Sequence, residues 1–189
     1  MNSIELLNGL KKDVAAIIRQ TETSYLHLPD EVLNARPSAE SWSILECFEH
    51  LNRYNRFYNV AIDGRLRLEK SEVSQDVKST WLGRKSIQSM HPSNVKKQKT
   101  LKHLNPVSSK LKRETIVEFL EHQKQLLRLL EVAKRSDLNR IKIPIEFFRL
   151  LKMTLGEAFQ FIIVHEQRHF LQLKRIVQVV GKNTVALQE

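Results

Sequence analysis

Two histidines four residues apart, His165 and His169, are the clearest chemistry in the chain. On a helix, four residues is close to one 3.6-residue turn, so both imidazoles point the same way and can close on one ion. The intervening Glu166 completes the pattern HExxH, which in zinc proteases supplies two ligands and a general base. That reading fails on the downstream residues. The extended protease form wants glycine and histidine three and six positions after the second histidine, and here these are Gln172 and Arg175. The carboxylate side chain following His169 is the terminal Glu189, a poor third ligand. Glu166 also lies about 100° around the helix from His165, so it does not face the same ion squarely. A surface or interhelix salt bridge is its expected role.

The third ligand must therefore come from another element. His50 is the best placed. It lies three residues after Cys47, four before Tyr54 and seven before Phe57, on the inward face of a helix read over 44–72. His122, on the flank shared by Phe119, Leu126 and Leu129, is held in reserve. His91 and His103 read as loop residues. Gln172, one turn past His169, suits a hydrogen bond to a ligand histidine better than metal contact. Trp42 reads as a packing anchor, and Tyr54 and Tyr58 as residues that could line a pocket. Three neutral imidazoles with an open position form the layout of a catalytic rather than a structural zinc site. Nickel suits imidazole as well.

The elements that hold these residues read as helices. The 189 residues are 41% apolar with 5 Gly and 5 Pro, a balance that favours long helices. A first helix spans 2–26 through Ile4, Leu7, Leu10, Val14 and Ile17, ended by Pro29; residues 28–42 read as a loop. Ser43 and Glu46 have capping-box spacing at the start of the second helix, as have Thr154 and Glu157 at the start of the fourth. A third helix spans 110–135. The fourth runs to about Val180, with Gly181 as its stop. Its inner stripe is Ala158, Phe161 or Ile162, His165, His169, Gln172, Ile176 and Val179, so both histidines fall on the core face. Residues 73–109 lack helical periodicity and read as a long crossover. Residues 136–153 read as a connection through Pro144, with a short helical turn at 147–151. The fold class is thus all-α, one four-helix-bundle domain over 1–189, a scaffold whose facing helices commonly build metal sites from inward side chains.

The formal net charge is +10 and the pI about 9.8. This permits nucleic acid, an anionic membrane or a small anionic ligand without choosing among them. The crossover holds Lys96, Lys97, Lys99 and Lys102, read first as solvated surface and second as an anion-attracting rim over a pocket. The single Cys47 excludes an intrachain disulfide and fits a reducing compartment. No uncharged apolar run of membrane-spanning length and no basic-then-apolar start is present, so a cytoplasmic protein is expected.

Three segments together resemble the DinB-like superfamily of metal-binding four-helix bundles. They are Ser41-Trp42-Ser43-Ile44-Leu45-Glu46 leading to His50-Leu51, Thr154-Leu155-Gly156-Glu157, and His165-Glu166-Gln167-Arg168-His169-Phe170-Leu171-Gln172. The resemblance implies a metal held by His50, His165 and His169, the trio that facing and spacing also favour. It implies an up-down-down-up topology with the long crossover between helices two and three, and it allows a homodimer paired through bundle faces. Members of that family use low-molecular-weight thiols, some as S-transferases and some as isomerases. The expectation is a metal-dependent thiol S-transferase or hydrolase with zinc or nickel, acting on a small molecule, with an anionic thiol as cosubstrate. A non-catalytic metal-binding or interaction module is the alternative. Nucleic-acid binding through the basic 96–113 stretch ranks below both.

Overall fold

Capping side chains and apolar stripes set the element boundaries. In a computed structural model, which describes residues 1–69, 73, 75–94, 96, 99–107, 109–146 and 148–185, Asn2 caps α1 (Ser3–Ser24) by accepting from the Ile4 and Glu5 amides. A short α2 (Asp30–Asn34) follows, inside the stretch expected to be a loop. The capping box at α3 (Ile44–Leu68) is present in both arms. Glu46 N–H donates to Ser43 Oγ at 3.2 Å, and Ser43 N–H to Glu46 Oε2 at 2.9 Å. After α4 (Trp81–Met90) and a single 3₁₀ turn at Lys102–Leu104 comes α5 (Glu114–Ala133). Two strands, β1 (Lys142–Ile145) and β2 (Phe148–Thr154), lead into α6 (Leu155–Val185), where Thr154 and Glu157 form the second capping box.

The four long helices α1, α3, α5 and α6 make the core. Helix α3 packs on α5 and α6, and α1 packs on the same two. Their inward faces bury Leu7, Val14, Phe48, Phe119, Phe159 and Phe161, among others. Among the described residues no helix is long and apolar enough to cross a membrane.

Besides α2, three expectations are corrected. The chain is not all-α. Residues 142–154 form an antiparallel hairpin pairing Ile143 with Met153 and Pro144 with Lys152, with a register shift after Pro144. Its signal is the alternation Ile141, Ile143, Ile145, all buried, with Lys142 exposed and Pro144 half-buried between them. Proline without an N–H is tolerated in such a peripheral strand. The helical turn expected at 147–151 is therefore strand where described; Phe147 lies outside the described residues. Second, the crossover contains α4, which packs along α6. Third, Gly181 does not stop α6, which continues through it; an exposed glycine there costs only about 1 kcal/mol of helix propensity. Helix ends elsewhere differ modestly from those expected, and Ile4 is more exposed than its place in the repeat suggested. The expected end of the second helix, 70–72, lies outside the described residues.

Gly83 is where α4 meets α6. A Cβ at this position would lie 2.1–2.6 Å from the carboxyl atoms of Glu157. That carboxyl is fully buried and committed to the Thr154 and Thr80 amides. Gly83→Ala should therefore lower the unfolding free energy by about 1–3 kcal/mol, the ordinary cost of overpacking, read as a shift in urea midpoint.

Candidate metal centre

His50 sits in the second turn of α3 and His165 and His169 in the middle of α6, where those two helices pack. Their ring nitrogens converge. His50 Nε2 lies 3.3 Å from His165 Nε2, which lies 3.1 Å from His169 Nε2. The ligand atoms of all three fall within 4.8 Å of one another. All three side chains are buried, at 3%, 3% and 9% exposure. Burial drives His50 down to about 4, against the opposing hydrogen bond from its ring to the Leu104 carbonyl. Burial, together with the neighbouring imidazoles, holds His165 and His169 well below the ordinary histidine range. All three are neutral at pH 7.

The outer nitrogens fix the tautomers. His50 Nδ1 meets the Leu104 carbonyl at 2.9 Å, and His169 Nδ1 meets Gln172 Oε1 at 3.0 Å. Each oxygen accepts a hydrogen bond from an Nδ1–H, which leaves Nε2 as an inward lone pair. His165 Nε2 can carry one proton and satisfy one of these lone pairs, not both. A cation satisfies all three. The two separations from His165 Nε2, 3.3 and 3.1 Å, also agree with the about 3.3 Å between two nitrogens tetrahedrally disposed around zinc at 2.0–2.1 Å. The donor set therefore fits a divalent ion.

The Leu104 carbonyl is held from two sides. Arg53 donates to the carbonyls of His103 (3.1 Å) and Asn105 (2.8 Å), and His103 Nε2 meets Glu146 Oε1 at 2.9 Å. Aromatic rings close the site. Trp42 lies 4.8 Å from His50 and stacks on His169, while Tyr54 lies 4.4 Å from His165. Above the nitrogens opens a cavity of about 690 Å³, lined in part by Trp42, Tyr54 and Gln172.

The remaining candidates go elsewhere. His122 is outside the cluster and meets Glu118 Oε1 at 3.2 Å. His91 bonds Ser93. Tyr58 is fully buried, does not line the cavity, and accepts from the Glu146 amide. Glu166 is neither on the surface nor ion-paired among the described residues. It is 1% exposed, and its Oε1 accepts from Asn55 Nδ2 (3.0 Å) and Gln123 Nε2 (2.6 Å). Burial raises it to about 7. Trp42 proves to be more than an anchor, since it forms the wall beside two of the histidines. Of the basic run, Lys99 lines the cavity, and Lys97 lies outside the described residues. Residue types gave no signal for Leu104, whose contribution is a backbone oxygen.

The sequence profile of the DinB superfamily matches residues 13–173. The chain belongs to the DinB superfamily. Over 160 residues it is 30% identical to the uncharacterized protein YuaE of Bacillus subtilis (strain 168), covering 82% of this chain and 89% of YuaE. Its fold is similar to that of YfiT from Bacillus subtilis, with a TM-score of 0.57 and 10% identity, over 93% of this chain and 87% of YfiT. YfiT is described as a probable metal-dependent hydrolase with an unusual four-helix bundle topology. In this DinB-superfamily chain four long helices carry the core; the hairpin and α4 are packed around them.

Proposed function

We propose that this protein is a metal-dependent enzyme, a hydrolase or a thiol S-transferase, whose divalent ion (zinc or nickel) is held by His50, His165 and His169. The observation that carries this is the convergence of three neutral Nε2 atoms at the floor of an open cavity. The naming of YfiT as a probable metal-dependent hydrolase supports the same chemistry. The up-down-down-up sense of the bundle belongs to this proposal, supported by the long connection between α3 and α5.

A divalent ion there supplies Lewis acidity, which lowers the pKa of a water or thiol offered to it. The chain's own residues prepare the place. Gln172 and the Leu104 carbonyl keep two imidazoles in the donor tautomer. Trp42 and Tyr54 exclude water from the imidazole flanks. Burial lifts Tyr54 to about 12, so at neutral pH it stays a phenol, able to donate a hydrogen bond but not to act as a base.

The test is metal content of untagged protein purified without chelator, followed by assay of ester hydrolysis and of thiol transfer to an aryl halide. About one divalent ion per chain, with turnover abolished by chelator and restored by that metal, is expected. Metal without turnover of either kind would favour the non-catalytic binding module. Protein that cannot be loaded would overturn the site.

A further inference from the structure

The α6 wall of the cavity carries two stripes. His165, His169 and Gln172 form one. Arg168 and Arg175, seven residues apart and so nearly in line on the helix, form the other. Lys99 adds a third cation from the crossover, and Glu40 is the carboxylate set against them. Arg168 donates to the backbone carbonyls of His91 (3.4 Å), Asn94 and Lys96 (2.6 Å). These bonds pin the crossover as the facing wall and leave the guanidinium charge un-neutralised. Lys99 and Arg175 have no ion-pair partner among the described residues, and both are exposed. The remaining lining is apolar in part, with Trp42, Met90, Pro92, Leu101 and Leu171.

Exposed cations on a flat surface are largely screened, but a concave site with low-dielectric walls focuses their field. The permanently charged cations on the cavity lining are Lys99, Arg168 and Arg175. We infer that the cavity selects an organic anion with an apolar body, its carboxylate or phosphate end on Arg175 and Lys99 and its reacting end at the histidines. This rests on the proposed reading of the three-histidine site for the reacting end alone. Six residues separate His169 from Arg175, a rise of roughly 9 Å along α6, which sets the scale of the substrate. A cavity of about 690 Å³ accommodates a ligand of that length.

Two dyes of similar shape test it. 1-Anilinonaphthalene-8-sulfonate is an anion, and N-phenyl-1-naphthylamine is its neutral counterpart. Both are titrated by fluorescence into full-length protein, chelator-treated and zinc-loaded, at low ionic strength. Lys99→Gln combined with Arg175→Gln should weaken the anionic dye about tenfold and the neutral dye less than about twofold. Arg175→Lys should retain most of the anionic affinity, and thermal melts should show the variants folded. Displacement by hexanoate, hexyl phosphate and hexanol distinguishes the two anion chemistries from apolar filling alone. Equal weakening of both dyes, an unchanged anionic dye, or equal displacement by hexanol would each overturn the inference. Charge-selective binding in a protein that takes up no metal would remove the proposed catalytic site and leave the anion subsite standing. Metal uptake without charge selectivity would do the reverse.

Discussion

Zinc titrated into the metal-free protein should bind at pH 5.5 within about threefold of its affinity at pH 7.5. Three exposed imidazoles with ordinary pKa near 6.5 would each be about nine-tenths protonated at pH 5.5, so proton competition would weaken such a site roughly a thousandfold. Here burial holds His50 near 4, and His165 and His169 lie well below 6.5. His50 is therefore already neutral at pH 5.5, and the downward shift of His165 and His169 also reduces the protons released on binding. Competition with a chromophoric chelator at the two pH values measures the ratio, after correction for the chelator's own protonation. A thousandfold drop would show that the three rings are solvated and not convergent. His165→Ala should cost at least about a hundredfold in affinity, more than the usual effect of a supporting residue, because its Nε2 stands between the other two. Gln172→Ala removes only the oxygen that orients His169 and should cost about tenfold.

The same depressed pKa values make the metal-free fold sensitive to acid. In the unfolded chain a histidine takes a proton near pH 6.5, while folded His50 resists until about 4. Between those values the unfolded state binds more protons, so stability falls as pH falls. The contribution is fully present above pH 6.5 and is lost progressively towards pH 4, roughly 3 kcal/mol for His50 alone. Bound zinc should deepen this acid dependence, because the unfolded chain that takes up protons must also release the ion.

The parts of the site that are side chains on strongly periodic helices were legible in the residues. His50 could be placed because Cys47, Tyr54 and Phe57 mark the inward face of α3, and His165 and His169 because α6 is apolar along one stripe. Both capping boxes announce themselves through hydroxyl and carboxylate three residues apart. The rest depends on tertiary contact. Helix α4 is short, with glycine and serines where apolar residues would mark a face, and Gly83 is required by a carboxyl on another helix. The hairpin has strand alternation over only Ile141 to Ile145, interrupted by Pro144. The acceptor for His50 is a main-chain oxygen, which any residue offers. Arg168 and Arg175 look like ordinary helix-surface cations until the crossover packs against Arg168 and both line the cavity.

Glu166→Gln should stabilise the metal-free protein by on the order of 2–3 kcal/mol at pH 8 and by almost nothing at pH 4.5. Burial lifts the folded carboxyl to about 7 from an ordinary 4.5. The wild-type contribution is thus fully present below pH 4.5 and is lost as pH rises through 7, where a charge must exist in the core. Glutamine removes the charge and keeps Oε1, the oxygen that accepts from Asn55 and Gln123. Its amide nitrogen replaces Oε2, which lacks a partner among the described residues. Urea unfolding at the two pH values measures the difference; no gain at pH 8 would mean that the carboxyl is solvated or already paired. Bound zinc should reduce the gain, since a nearby cation favours the ionised carboxyl. The same variant separates the two meanings of the HExxH pattern. Glu166 does not line the cavity and points between α3 and α5, so metal content should be unchanged and any turnover should stay within about threefold. Loss of a hundredfold or more, the scale of a missing general base, would instead place Glu166 in the reaction.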